Sequence, residues 1–134
     1  MLPWSLKRLA YLLFQKGKNR LLGCIFCHIA SHQAPARILY EDEQCVAFED
    51  VHPRAPVHVL VIPRKHIESL NADLYGDEAL LGHLLNVAAR TAKSKGIDST
   101  GFRTVINTNA EAGQTVFHLH IHVMGGRTMH WPPG

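Results

Sequence analysis

A chain of 134 residues holds one domain with its own core and leaves no room for a second. With 46% hydrophobic and 19% charged residues it has the composition of an ordinary folded domain, and three cysteines exclude a disulfide framework. The net charge of +3 is unevenly held: residues 1–40 carry six Lys/Arg and no acid, whereas residues 41–134 carry eight Lys/Arg against 11 Asp/Glu, so the body gives no electrostatic case for a nucleic-acid partner.

No apolar run reaches the roughly 18 residues of a transmembrane segment. Residues 1–23 form a basic amphipathic N-terminal extension, in which Leu2, Leu6, Leu9, Leu12, Leu13 and Phe14 alternate with Lys7, Arg8, Lys16, Lys18 and Arg20. A mitochondrial presequence, a helix lying on a membrane surface and a retained helical extension all fit that pattern. The segment lacks the Ser richness of a presequence, which favours a retained extension and a cytoplasmic location, with a mitochondrial one as the alternative. The pattern predicts a helix over 5–16 and a linker over 17–23.

Beyond the linker, Ile25 to Ser31 reads as one or two helical turns ending before Pro35. Arg37 to Tyr40 and Cys45 to Phe48 read as a hairpin around the acidic turn Glu41-Asp42-Glu43. After a loop marked by Pro53 and Pro56, His58 to Ile62 is a third strand stopped by Pro63. Asp77 to Lys95 is the one long amphipathic helix, with Leu80, Leu81, Leu84, Leu85, Val87 and Ala88 as its apolar stripe and Gly96 as its end. Phe102 to Asn107 is a strand, 109–114 a polar loop, and Phe117 to Val123 the last strand, closed by Gly125-Gly126. About five strands in hairpin order with one main helix make an α+β domain with a mostly antiparallel sheet.

The last strand carries the most informative pattern, His118-Leu119-His120-Ile121-His122-Val123-Met124. Strict alternation predicts Leu119, Ile121 and Val123 in the core and all three imidazoles in a row on the other face. With 10 His in the chain, chance alignment of this pattern has a probability of about 0.002. The row fits a metal site, a catalytic row or a solvated His-rich face. A second cluster, Cys24-Ile25-Phe26-Cys27, is a CxxC without the βαβ context of redox motifs. Its cysteines fit either two reduced thiols or half of a zinc site, for which His66 and His118 are the best further ligands.

The histidine row resembles the His-φ-His-φ-His-φ-φ motif of the histidine-triad (HIT) superfamily, and the resemblance extends over residues 24–134. Tyr40-Glu41-Asp42, Ala47-Phe48-Glu49-Asp50-Val51, Ala55-Pro56-Val57-His58, Val61-Ile62-Pro63-Arg64-Lys65-His66-Ile67 and Gly113-Gln114-Thr115-Val116-Phe117 follow in family order. The tail, ending Trp131-Pro132-Pro133-Gly134, looks like the Hint branch, the histidine triad nucleotide-binding proteins. Residues 1–23 lie outside the resemblance.

The resemblance implies a HIT-like fold in which the five-stranded sheet continues across a homodimer. It also implies hydrolysis of purine nucleoside phosphoramidates, and of aminoacyl-adenylates, to a nucleoside monophosphate. In that scheme His120 attacks the α-phosphorus and becomes nucleotidyl-histidine, His118 orders His120, and His122 and His58 contact phosphate. Thr115 stands where the family usually has Ser. Nucleotide contacts carry over to Phe48, Asp50, Val51, Asn107, Gly113, Gln114, Thr115 and Val116. Phe48 and Val51 equally suit ordinary core, and Asp50 suits a turn. Trp131 reaches toward a partner's site or simply packs at the C-terminus. Catalysis requires no cofactor; a structural zinc on Cys24, Cys27, His66 and His118 is the implied metal. Two alternatives are a catalytically marginal nucleotide-binding scaffold and a dinucleoside polyphosphate hydrolase of the Fhit type, which the tail argues against.

Overall fold

Alternating apolar residues fold the described residues into a single antiparallel sheet, seen in a computed structural model that describes residues 23–134. The predicted helix over 5–16 and its linker therefore lie outside the described residues. Strands β1 (Ile38–Glu41), β2 (Cys45–Glu49), β3 (Val57–Pro63), β4 (Phe102–Val105) and β5 (Ile121–Gly125) stand in the order β1-β2-β3-β5-β4. Every neighbouring pair is antiparallel. Among the described residues two helices accompany them, α1 (Ile25–Ala30) and α2 (Glu78–Ser94). No described helix is long and apolar enough to cross a membrane.

The two faces of the sheet bury different things. Residues of one parity, Cys45, Ala47, Val59, Val61, Ile121 and Val123, pack under α2 through Leu84, Val87, Ala88 and Ala92. Residues of the other parity, Val46, Phe48, Leu60 and Ile62, pack under α1 through Ile25, Phe26 and Ile29. The period-2 alternation of the strands produces both layers from the same residues' backbone. Leu85, expected in the α2 stripe, is 51% exposed, and Thr91, which returns its hydroxyl to the Val87 carbonyl, takes a place in the buried face. Helix α2 ends at Gly96, whose φ of +74° is a conformation only glycine adopts without strain. Gly125 answers a different need: a Cβ there would lie 2.7 Å from Ile97 Cδ1, so β5 approaches the end of α2 only without a side chain.

The predicted strand over 117–123 is corrected. It begins at Ile121, and residues 116–120 bend irregularly into it. The cause lies on β3, where Val61 pairs with Ile121, so that continuing the register would set Pro63 opposite Leu119. Proline has no N–H to donate, and the ladder stops. Leu119 N–H instead donates to the Ile67 carbonyl at 2.6 Å, and His118 Nε2 donates to the Pro63 carbonyl at 2.7 Å. The strand before it is also shorter than predicted: β4 ends at Val105, and Asn107 lies beyond it.

Candidate active site

Parity on β3 and β5 brings His58 and His122 to the α1 face, with His58 opposite Met124 in the register. Their rings, and that of His120, line a cleft of about 320 Å³ together with Asp50, Val51, Gly113 and Thr115. The row is not solvated: α1 covers it, leaving His118 0% and His120 7% exposed. Nor do the three imidazoles stand together. The rings of His120 and His122 are 4.9 Å apart, but His118 turns away toward His66, 5.0 Å off. Phe26 fills the corner between, edge-on to His118 at 5.9 Å and to His120 at 5.2 Å.

Backbone groups fix which nitrogen of each ring carries its proton. A carbonyl only accepts, so His120 Nδ1, 2.7 Å from the His118 carbonyl, is the protonated nitrogen and Nε2 keeps its lone pair. The group of His118 that faces the His120 ring is its main-chain carbonyl. At His58 the logic runs in the opposite sense. Arg54 N–H donates to His58 Nδ1 at 2.9 Å, which puts the His58 proton on Nε2. That Nε2 lies 2.9 Å from His122 Nδ1 and 3.3 Å from Asp50 Oδ2. His122 Nδ1 is therefore an acceptor, and its proton sits on Nε2. The main chain thus sets neighbouring imidazoles to opposite tasks, a lone pair on His120 Nε2 and a donor on His122 Nε2. His58, with both nitrogens engaged, positions His122.

Burial lowers the pKa of all three rings, and for His122, with His120 and His58 beside it, the value falls to about 4. Each is neutral near pH 7, which keeps the lone pair and the donor in place.

The other predicted contacts divide. Asp50, Val51, Gly113, Thr115 and Val116 line the cleft. Asp50 serves its turn as well, accepting His52 N–H at 2.7 Å through Oδ1. Phe48 belongs to the core beneath, 5.6 Å from the Phe26 ring. Gln114 is a buried brace of the loop: Oε1 accepts Asn109 N–H at 2.8 Å and Nε2 donates to the carbonyls of Glu68 and Val116. Asn107 is not among the residues that line the cleft. Trp131 is 82% exposed. Four cleft residues were missed: Phe26, His52, Arg54 and Leu60. Leu60 follows His58 by two positions and shares its face, a signal the alternation already carried.

The CxxC cluster converges as expected. Ligand atoms of Cys24, Cys27, His66 and His118 all lie within 4.8 Å of one another. His118 Nδ1 is 3.3 Å from Cys24 Sγ, 3.5 Å from Cys27 Sγ and 3.2 Å from His66 Nδ1. A tetrahedron with metal bonds of about 2.0–2.1 Å to nitrogen and about 2.3 Å to sulfur has edges of about 3.3–3.6 Å between these atoms. His118 Nε2, bound to the Pro63 carbonyl, leaves Nδ1 unprotonated for such an ion. Burial, and then the adjacent Cys24, pushes the Cys27 thiol up to about 11, the reverse of a reactive redox cysteine. The residues fit a structural zinc.

Comparison with known proteins gives the family and the fold. Residues 31–129 match the HIT domain family. An uncharacterised HIT-like protein of Synechocystis is 56% identical over 110 residues, 82% of this chain and 96% of that protein. The crystal structure of a HIT family hydrolase from Legionella pneumophila superposes with a TM-score of 0.82 at 44% identity, covering 84% of this chain and all of the other. A zinc-bound histidine triad family protein from Mycobacterium smegmatis superposes with a TM-score of 0.68 at 36% identity, over 79% of this chain and 76% of that one.

Proposed function

This chain belongs to the HIT domain family, and from that premise we propose that it hydrolyses the P–N bond of purine nucleoside 5′-phosphoramidates, with aminoacyl-adenylates as further substrates. The observation that carries the reading is the hydrogen bond from His120 Nδ1 to the His118 carbonyl, which leaves a neutral imidazole with its Nε2 lone pair on a ring lining a nucleotide-sized cleft. Phosphoryl transfer asks for a positioned nucleophile and for donors at the phosphate oxygens. His120 Nε2 supplies the first. His122 Nε2–H and the backbone at Gly113, whose φ is +89°, supply the second.

The reaction runs in two displacements. His120 Nε2 bonds to the α-phosphorus as the P–N bond breaks, and the amine leaves with a proton from solvent. Water then adds to phosphorus, the bond to His120 breaks, and a nucleoside monophosphate departs. Asp50, accepting ribose hydroxyls, and the apolar walls at Phe26, Val51 and Leu60 hold the nucleoside. The hydroxyl of Thr115 faces the phosphate and leaving amine, and its methyl narrows the space for that amine.

Zinc on Cys24, Cys27, His66 and His118 is structural, because four protein ligands leave no open position for substrate. We infer a homodimer formed through the β4 edge, where Phe102 is 37% exposed beside a cavity of about 630 Å³ lined by Arg103, Arg127 and Met129. The exposed Trp131 then reaches the partner's cleft.

A panel of adenosine and guanosine phosphoramidates, with dinucleoside polyphosphates alongside, tests the reading. Release of AMP or GMP by the wild type and its loss in His120→Ala are expected. Nucleotide binding with no hydrolysis across the panel would overturn it in favour of a scaffold, and preferential cleavage of dinucleoside polyphosphates would overturn the substrate class.

A further inference from the structure

The nucleophile stands on backbone that the sheet does not hold. Strand β5 starts at Ile121, so His120 and the two residues before it lie outside the ladder. Three ties fix that segment to the rest of the fold. The first two, Leu119 N–H to the Ile67 carbonyl and His118 Nε2 to the Pro63 carbonyl, reach only the end of β3 and the turn after it. The third is the ligand quartet, in which His118 Nδ1 faces Cys24, Cys27 and His66 at 3.2–3.5 Å. It is the polar tie between the segment and α1. The same helix carries Phe26, packed edge-on against both His118 and His120.

We infer that Cys24, Cys27 and His66 are positioning residues for His120: by fixing the His118 side chain they fix its carbonyl, which accepts the His120 Nδ1 proton and holds Nε2 toward phosphorus. A filled quartet pins His118 at both ring nitrogens, one to the Pro63 carbonyl and one to the ion. An unfilled quartet leaves only the first. The carbonyl of the same residue then shifts, the His120 proton exchanges between its two nitrogens, and part of the population presents an N–H where a lone pair is needed. Displacements of about 1 Å at a reacting group cost up to about 100-fold in rate. Here the chemistry itself stays intact, so the effect falls on kcat and leaves KM nearly unchanged.

The activity half of this inference rests on the phosphoramidase reading; the ring tautomer does not, and the two fail separately. Long-range ¹H–¹⁵N spectra of His120 are recorded for the zinc-loaded protein, for protein stripped by chelator, and for His66→Ala and His66→Cys. A single Nδ1–H pattern is expected when the quartet is filled. A two-tautomer average, with kcat about tenfold lower, is expected when it is empty or in His66→Ala. His66→Cys, which restores four ligands, returns both. Leu84→Ala, destabilised on the opposite face, should leave the His120 pattern and kcat unmoved. An unchanged His120 pattern in stripped protein that remains folded overturns the inference. Should stripping unfold the protein, the zinc and cadmium forms are compared, because cadmium keeps four ligands at longer bonds. A moved His120 resonance with altered kcat supports the coupling, and identical spectra overturn it.

Discussion

The two faces of the sheet are made by the same strands and do opposite work. Under α2, Val59, Val61, Ile121 and Val123 meet Leu84, Val87 and Ala88 in a dry apolar layer. Its one thiol, Cys45, is pushed by burial up to about 12 and is inert. Under α1 the same strands turn His58 and His122 inward, and His120 joins them beside Leu60 and Phe26. Neutral imidazoles there are buried at a cost that only hydrogen bonds to the main chain and to each other offset. One layer of backbone separates a face that is apolar throughout from a face where an apolar cluster borders the imidazoles. The faces should therefore respond independently to substitution.

The sharpest break of that comparison is at His120. His120→Ala removes the nucleophile and should lower turnover on the order of 10⁴-fold or more. The buried ring also packs on Phe26 and donates to the His118 carbonyl, so a loss of about 1–3 kcal/mol of stability accompanies it, far less than the loss of turnover; steady-state kinetics and a thermal melt on the same sample read both. Leu84→Ala is the converse. Leu84 is 1% exposed in the α2 layer, and its truncation should cost about 2–5 kcal/mol, or roughly 10 °C or more in melting temperature, with kcat intact below the transition. A large loss of kcat in folded Leu84→Ala would mean that the two faces are coupled.

The α2 face was the more legible of the two in the sequence. Periodicity placed α2 to within a residue at each end, and alternation placed β2 and β3 nearly as well, because both signals report burial directly. The same signal misled at the histidines. Alternation is read as half-buried only if one face meets water, and α1, six residues long, was too short to announce that it covers the other. Pro63 was recognised as the stop of β3, but its effect on the opposite strand needed the register, which sequence spacing alone does not give. The spacing of Cys24 and Cys27 left reduced thiols and half of a metal site equally open, and the family resemblance named His66 and His118 beside them; their four ligand atoms lie within 4.8 Å of one another. Gln114 and Asn107 were not legible, since an amide braces a loop or binds a ligand with the same atoms.

Between pH 7 and pH 4 acid should act first on the buried imidazoles of the α1 face. Burial holds His58 and His122 below the ordinary histidine pKa, His122 at about 4. In the unfolded chain both titrate near 6.5. The unfolded state thus binds more protons between about 6.5 and about 4, and stability falls as pH falls through that window. The contribution is fully present above 6.5 and lost below 4. Melting temperatures measured from pH 7 to pH 4 should drop for the wild type and drop less for His122→Gln. Equal slopes would show that His122 is not buried neutral.

The smallest effect expected is at the rim of the same face. Arg54 lines the cleft, and its guanidinium makes no hydrogen bond or ion pair among the described residues, although its main chain is engaged on both sides by His58 and Arg127. A fixed backbone with a free cationic side chain is suited to an anion that arrives from solvent. Being exposed, that charge is screened and contributes little to a bound nucleotide. Arg54→Gln should therefore raise KM by about two- to fivefold, leave kcat unchanged, and flatten the dependence of KM on salt. Because the Arg54 N–H that sets the His58 tautomer is untouched by the substitution, a fall in kcat instead would place the side chain in the chemistry of the α1 face rather than at its entrance.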